Sequence, residues 1–492
     1  MRRFLWICGG VCGLGVLQAQ VSPDRAPQSQ SSPSRTTQQQ STRGPGSAAS
    51  MVGNENPLAG GIPTGEPTTD EIPLTLTDTL ARGLKYNFGL AQGDLDTRFE
   101  RADRLRTLSQ LLPTLNIRPS VTEQQVNLAS FGFPGLPGIP SVVGPFSVYD
   151  ARAYLAAPVL NFSALKNYRA GAESINAAQH SYRDIRDQVT LIVTGLYLQA
   201  IAGAARVETA RAQVETSQRL FQRATDRKTA GTAPGIDVVR SQVELQAQQL
   251  RLIVAEGDFE KQKLTLGRSI GLPLGQQFRL VDTIPYEPLP ASIDMAHVLA
   301  EAYRVRSDYQ AAQARVKAAA LRKQAALAER LPTAGVDANY GVIGPQVNQV
   351  HGTFTVQGFV NIPIFQGRRV EADVLETDTE LQRQRAALDN LRGRIDSEVR
   401  LAFVDLRTSA RQVEVAKSNV DLARQQIEQS QDRFAAGVTN NLEVVQAQEA
   451  VAAANESFIS SLYSFNVAKA EVARAQGVAE RAITEYLKRN KL

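Results

Sequence analysis

Side chains that could do chemistry are few in this sequence, and they are scattered. The three histidines, His180, His297 and His351, fall on a helical stretch, at a helix start and at a strand edge. None of them forms the His-x-x-x-His spacing of a zinc-binding helix, so each is expected to be structural. No Gly-Lys phosphate loop and no Gly-x-Ser-x-Gly elbow occurs. Both cysteines, Cys8 and Cys12, lie among the first twenty residues. Carboxylates are plentiful, but they sit on charged helical faces where pairing with Arg or Lys one turn away accounts for them. The expectation is no enzyme, no catalytic residue, no cofactor and no metal site.

The elements around these residues explain their dispersal. The chain has 492 residues, of which 43% are hydrophobic, 21% charged and 6% aromatic. No run of some 18 to 20 apolar residues is expected outside the first twenty, which argues against a helical membrane protein. With 54 basic and 49 acidic side chains the charge is near balance, unlike the basic stripe of a nucleic-acid binder, so no nucleic-acid partner is expected. Arg2 and Arg3, an apolar stretch from Phe4 to Leu17 and then Ala19 read as a secretory signal over residues 1–19. Its removal takes away both cysteines and the only tryptophan, Trp6, leaving no disulfide and no thiolate ligand. Residues 20–71 are rich in Ser, Gln, Pro, Thr and Gly and read as a disordered linker.

From Ile72 onward the same unit occurs twice. The helical stretch Thr79 to Leu115 matches Val298 to Ala334 with a shift of 219, and Arg227 to Gln242 matches Arg433 to Gln448 with a shift of 206. Between these matches each copy carries a pair of alternating strands. Leu115, Ile117 and Val121 alternate with Asn116, Arg118 and Ser120, while Ala151, Ala153, Leu155 and Val159 alternate with Asp150 and Arg152. In the second copy Val336 and Ala338 alternate with Asp337 and Asn339; Phe354, Val356, Val360, Ile362 and Ile364 alternate with Thr353, Thr355, Gln357 and Asn361. At about ten residues each, these strands have the length that a tilted strand needs to cross a bilayer.

The remainder is helix. Residues 164–228 and 367–434 contain no proline and hardly a glycine, so each stretch can run on the order of 100 Å. Val399, Leu406, Val413, Val420, Ile427 and Phe434 recur every seven residues, with small residues between them, as along a coiled-coil seam. Ala230-Gly231 and Ala436-Gly437 end these helices before return helices begin. The boundaries read as 72–285 for the first repeat, with strands at about 113–126 and 148–162 and a tip at about 229–235. The second repeat reads as 286–477, with strands at about 332–343 and 352–365 and a tip at about 435–441. Residues 478–492 form a C-terminal tail.

Four strands cannot close a membrane barrel, for which about eight is the minimum, so several chains must share one. The duplicated Leu-Pro strand entries, the exits at Pro158 and Pro363 and the twin tips RKTAGTAPGIDVV and RFAAGVTNNLEVVQAQ make the sequence resemble the TolC-like outer membrane factor family, over roughly residues 72–477. These are the exit ducts of tripartite efflux pumps and type I secretion systems. The resemblance implies a mainly α fold with a membrane β-barrel portion: long, internally duplicated antiparallel coiled-coil helices plus four strands per chain. It implies a homotrimer whose twelve-stranded barrel in the outer membrane continues as an α-helical barrel in the periplasm. Its partners would be outer membrane lipid, a periplasmic adaptor (membrane fusion) protein and an inner-membrane pump of RND or ABC type.

The same resemblance assigns adaptor contact to the tip residues Gly231, Thr232, Gly437 and Val438, with plain helix termination as the alternative. It places gate or selectivity roles on Glu443, Gln446 and Asp237. Three Glu443 carboxylates brought together in a trimer would favour protonation or a bound cation, whereas the second position of the family's acidic pair is Gln446. Asp237 matches a position that ties the closed tip through a tyrosine and an arginine, but those partners read Phe434 and Thr439; a favourable place at a helix start explains Asp237 equally well. Phe131, Phe133, Phe146, Tyr149, Tyr154, Tyr340, Phe354, Phe359 and Phe365 are candidates for lipid-interface anchors or for strand packing. The cargo expected is small molecules or drugs. Protein secretion or metal export through the same duct is the alternative, although Met51 and Met295 alone do not make a methionine-lined copper path. A secreted periplasmic coiled-coil scaffold or adaptor is the alternative from another class.

Overall fold

A computed structural model describes residues 57–132, 138, 140–284, 286–287, 294–439 and 441–482. The signal segment, most of the linker, Phe133, the greater part of the PGLPG loop and residues 483–492 lie outside the described residues, as do the side chains of Phe131 and Asn441. Contacts divide the chain at Gly44 and Pro45, and every described residue belongs to the second unit.

Helices dominate. A short strand β1 (Ile72–Leu74) leads into α1 (Leu76–Tyr86), which opens on a capping box between Thr75 and Asp78. The chain breaks at Asn87, whose side chain caps α2 (Phe88–Ser109). In the second repeat α5 (Met295–Val305) and α6 (Ser307–Ala328) break at Arg306, the position equivalent to Asn87 under the shift of 219. Each pair runs into Leu-Pro and then into strand: β2 (Thr114–Asn127) and β3 (Val142–Leu160) in the first repeat, β5 (Thr333–Gly344) and β6 (His351–Asn361) in the second. The short β4 (Phe278–Leu280) pairs in parallel with β1.

The four long strands form one antiparallel sheet in the order β2-β3-β5-β6, with β2 and β6 at its edges. Its register sorts the alternation onto two faces. Leu115, Leu155, Ala338 and Val356 share one rung, and Ile117, Ala153, Tyr340 and Phe354 share the next. Along these rungs every large side chain is apolar or tyrosine, and Ile117, Tyr340 and Phe354 are about three-quarters exposed; Glu123, opposite Ser147, shares this face nearer the β2–β3 connection. The opposite face carries Asn116, Arg118 and Ser120 beside Asp150, Arg152 and Tyr154, then Asp337 and Asn339, then Thr353, Thr355 and Gln357.

This register corrects three interface-anchor candidates. Phe146 and Tyr154 belong to the polar face, and so does Phe359, whose ring covers Gly335 across the β5–β6 pair. Tyr340 and Phe354 stay on the apolar face. Strand β6 ends at Asn361, so Ile362, Ile364 and Phe365 follow it without belonging to it.

Two helices of unusual length descend from the sheet: α3 (Phe162–Thr229, 68 residues) and α7 (Arg369–Ala435, 67 residues), each about 100 Å long. Each returns in a 35-residue helix, α4 (Gly235–Ser269) and α8 (Asn441–Ala475). Near the sheet the packing order is α2-α3-α6-α7; towards the tips it is α4-α3-α8-α7. One core centres on Val189, Val193, Leu196 and Tyr197 of α3, a second on Ile395, Val399, Phe403 and Phe465 of α7 and α8. The first core holds an 18-residue window of mean hydropathy 1.4 within α3, 78% buried. The expectation that no such apolar run exists is therefore corrected: the run is present because α3 is wrapped on several sides, and burial against protein accounts for its composition.

Two further expectations are corrected at the ends of the unit. Residues 57–71, read as part of a disordered linker, are fixed to the body. Gly61 N–H donates to the Arg268 carbonyl at 2.8 Å, Ile62 N–H to the Tyr86 carbonyl at 2.8 Å, and Thr68 N–H to Gln276 Oε1 at 2.8 Å. Backbone hydrogen bonding, to which composition is blind, orders this segment. The tail from 478 likewise begins docked: Ala479 is fully buried, Arg186 binds Glu480 through Nε at 3.0 Å and Nη2 at 2.6 Å, and Glu480 N–H reaches Asp187 Oδ1 at 3.3 Å.

Candidate functional site

The two helix tips are built alike. At the end of α3, Gly231 has φ of +69° and Thr232 N–H returns to the Arg227 carbonyl at 2.8 Å; at the end of α7, Gly437 has φ of +73° and Val438 N–H returns to the Arg433 carbonyl at 2.9 Å. Both are six-residue closures around a left-handed residue, a geometry that satisfies the last helix carbonyls and favours glycine. A Cβ on either glycine would meet nothing within 4 Å, so backbone conformation alone demands glycine there. Thr232 adds a hydroxyl hydrogen bond to the Arg227 carbonyl at 3.0 Å, while Val438 is 70% exposed.

The shift of 206 makes Arg227 equivalent to Arg433, Asp237 to Glu443 and Arg240 to Gln446. These pairs behave differently in the two hairpins. Asp237, 6% exposed in the first turn of α4, meets Arg240 one turn later at 3.8 Å. Glu443 has Gln446 in that place, and Gln446 is exposed. Its carboxylate turns back to Arg433, whose Nε lies at 3.3 Å, and accepts from the Thr439 hydroxyl and from Ser430 Oγ at 3.5 Å. Glu443 is thus compensated within its own hairpin.

Arg227 reaches across to the other hairpin. Its Nη1 donates to the Phe434 carbonyl at 3.1 Å, and its guanidinium carbon stands 4.7 Å from the centre of the Phe434 ring. Higher up, Arg206 joins α3 to α8 through Glu456 at 2.9 Å. Between these levels lies a cleft of about 580 Å³ lined by α3, α7 and α8, among them Arg223, Arg424 and Gln448. The sequence offers Phe434 and Thr439 where a tyrosine and an arginine are expected. The structure brings Thr439 to Glu443 and Phe434 to Arg227, and the latter contact escapes sequence reasoning. The signal that could have found it is the missing counter-charge: of the two equivalent arginines only Arg433 has a free acidic residue to meet.

The histidines are dispersed. His180 lies within α3 with Nδ1 buried and unpartnered, and desolvation holds its pKa below the usual value. His297 lies in the first turn of α5, and His351 opens β6. Among the described residues no three His, Cys, Asp or Glu side chains are grouped to hold a metal ion.

Comparison with known proteins adds to this geometry. The family model described as outer membrane efflux protein matches residues 85–272 and 298–478. The chain is 23% identical over 357 residues to the alkaline protease secretion protein AprF of Pseudomonas aeruginosa, covering 70% of this chain and 73% of that one. It is 24% identical over 401 residues to the pyoverdine export outer membrane protein OpmQ of the same organism, covering 78% and 81%. The crystal structure of the Campylobacter jejuni CmeC outer membrane channel superposes with a TM-score of 0.72 at 16% identity, covering 82% of this chain and 86% of that one.

Proposed function

This chain belongs to the outer membrane efflux protein family, and on that premise we propose that it is the exit duct of a tripartite efflux pump. Three copies join their four-stranded sheets into a twelve-stranded barrel in the outer membrane and their helices into a tube across the periplasm. Small molecules or drugs pass through it passively once a periplasmic adaptor docks on the tips. The energy comes from an inner-membrane pump of RND or ABC type. Residues 72–285 and 286–477 are the two repeats of this duct.

The observation that carries the reading is the sheet. One face is apolar along its central rungs and exposed, the other mainly polar, and both edges, β2 and β6, are unpaired among the described residues. In lipid each unpaired backbone group costs several kcal/mol, and closure among copies removes that cost for every chain at once. The helices present the same demand. Val239, Val243, Leu250 and Leu264 line the exposed side of α4, while Leu401, Val404, Val415 and Leu422 line that of α7. Their spacing follows the heptad, and α4 and α7 are the outer members of the packing order towards the tips. Joining α4 of one copy to α7 of the next covers both stripes.

At the tips Gly231, Thr232, Gly437 and Val438 form the adaptor contact. The Arg227–Phe434 contact holds the two hairpins of one copy together in the resting state. Glu443, with Gln446 beside it and Asp237 on the neighbouring hairpin, sets cation sensitivity at the aperture. A secreted scaffold would leave the apolar sheet face in water, which disfavours that alternative. Protein secretion through the same duct is the second reading, supported by the likeness to AprF.

The experiment is extraction of the outer membrane fraction in detergent, with heat-modifiability on gels and light scattering corrected for bound detergent. A heat-modifiable trimer in that fraction is expected. A monomer or dimer in the soluble periplasm would overturn the reading.

A further inference from the structure

On the polar face of the sheet two arginines stand directly opposite one another: Arg118 of β2 and Arg152 of β3 are register partners. Like charges across a strand pair are destabilising, so a fold under stability demands alone would not place them together. Conflicts of this kind collect at functional sites. The surroundings relieve only one of the two. Arg152 donates from Nε to Asp150 Oδ1 at 2.8 Å, makes a second bond to the other carboxylate oxygen, and reaches Asn339 Oδ1 at 3.4 Å. Both Asp150 oxygens are thereby engaged by Arg152. Arg118 is exposed and has no ion pair among the described residues; its guanidinium carbon lies 5.6 Å from the centre of the Tyr154 ring, which Arg152 approaches to 5.4 Å.

Tyr154 thus gathers both guanidinium groups on one side of the sheet, a cation–π arrangement that gives direction to the charge without neutralising it. Asp337, on the same face, lies four residues along and two strands away, roughly 16 Å from Arg118 by strand spacing. That exceeds the screening length of about 8 Å at physiological salt. The charge of Arg118 is therefore uncompensated at the place it occupies.

We propose that Arg118, with Arg152 and Tyr154 behind it, forms a binding station for organic anions on the inner wall of the barrel, one per protomer. Carboxylate, sulfonate and phosphate groups suit a guanidinium fork that has no other counter-ion. This station rests on the proposed trimeric duct, because only in a closed barrel does the polar face become a lumen. It makes Arg118 a specificity-determining residue for what leaves the duct, at the end remote from Glu443.

The test uses the full oligomer in neutral detergent and 1,3,6,8-pyrenetetrasulfonate as the probe, followed by fluorescence anisotropy. Wild-type protein is expected to bind the dye in a salt-sensitive manner. Arg118→Gln is expected to weaken binding about tenfold, the loss of one charge-assisted contact, with the heat-modifiable oligomer retained. Asp150→Asn, which removes the counter-ion of Arg152 and leaves Arg118 in place, is expected to tighten binding several-fold. Unchanged affinity in either variant overturns the station. Conductance of the same wild-type preparation in planar bilayers reads the duct separately: a conducting trimer whose dye binding is indifferent to Arg118 loses the station and keeps the duct. Salt-sensitive binding that depends on Arg118 in a protein that does not conduct overturns the duct and leaves Arg118 an anion site on the sheet that lines no lumen.

Discussion

Arg227, at the end of the first long helix, donates to the carbonyl of Phe434, at the end of the second, at 3.1 Å, and its guanidinium lies over the Phe434 ring. The contact exists because the two copies of the tip have diverged, among other places where Lys228 corresponds to Phe434 and Arg240 to Gln446. Where the first hairpin has Arg240 to meet Asp237, the second has Gln446, so Glu443 takes Arg433. The equivalent Arg227, with its own acidic residue already met, is left to bind across the gap. Differences between the duplicated sequences, Gln446 for Arg240 and Phe434 for Lys228, thus turn two self-contained hairpins into a coupled pair.

Removing that coupling should loosen the resting tip. A cation–π contact with one hydrogen bond contributes about 1 to 2 kcal/mol, so Arg227→Ala is expected to raise the open fraction of the channel by roughly tenfold. Single-channel recording in planar bilayers reads this directly, and Arg227→Lys should fall between. Openings at the wild-type frequency in Arg227→Ala would remove the contact from the resting state.

Glu443→Ala should weaken block by added magnesium ions in the same recordings, because a ring of three carboxylates would be lost from the aperture. Arg433, freed of its partner, would further disfavour cations. An unchanged magnesium response would take Glu443 out of the aperture.

Gly437→Val and Gly231→Val should strain the turns without any steric clash. A β-branched residue at a φ near +70° costs on the order of 1 to 3 kcal/mol, while the sheet and the two buried cores remain untouched. Co-purification with the adaptor is expected to fall while the heat-modifiable oligomer persists. Normal adaptor recovery in both variants would contradict the assignment of the tips.

Acidity should strengthen the middle of the molecule. Burial pushes the Asp187 carboxyl up to about 6, against the hydrogen bond from Glu480 N–H and the charge of Arg474, whereas the unfolded residue titrates near 4. Folding therefore takes up a proton between these values; the stability contributed is fully present below about pH 4 and lost as pH rises through 6. Asp187→Asn is expected to stabilise the fold by about 1 kcal/mol at pH 7.5 after allowing for solvent screening, read as a higher midpoint of thermal unfolding, and to have no effect at pH 4. Equal midpoints at pH 7.5 would show that the carboxylate is not strained by burial.

The mainly helical character is legible in the sequence, because long stretches free of proline with a seven-residue seam leave little choice. Alternation is legible too: Ile117, Ala153, Tyr340 and Phe354 come from four separate segments, yet each segment shows its own period of two. What the sequence hides depends on partners far away along the chain. Alternation places Tyr154 with Asp150 and Arg152, but nothing near it says that Arg118 of another strand will stand against its ring. Residues 57–71 look disordered by composition because their order comes from backbone groups of Arg268, Tyr86 and Gly271. The Arg227–Phe434 contact is hidden in the same way.

The apolar heart of α3 is covered by residues from both extremes of the folded region: Leu74 lies on one side of it, Ala470 on another, and Glu480 binds just above at Arg186. During synthesis and export the N-terminal part emerges first, so the cluster around Val189, Val193 and Tyr197 gains most of its cover from residues up to Ile284 and its last member, Ala470, only when almost the entire chain has been delivered. A stretch of this hydropathy in a partly made protein is open to association with its neighbours. The duplicated architecture thus carries an obligation in time, because the cover of the first long helix is completed only when the last one has arrived.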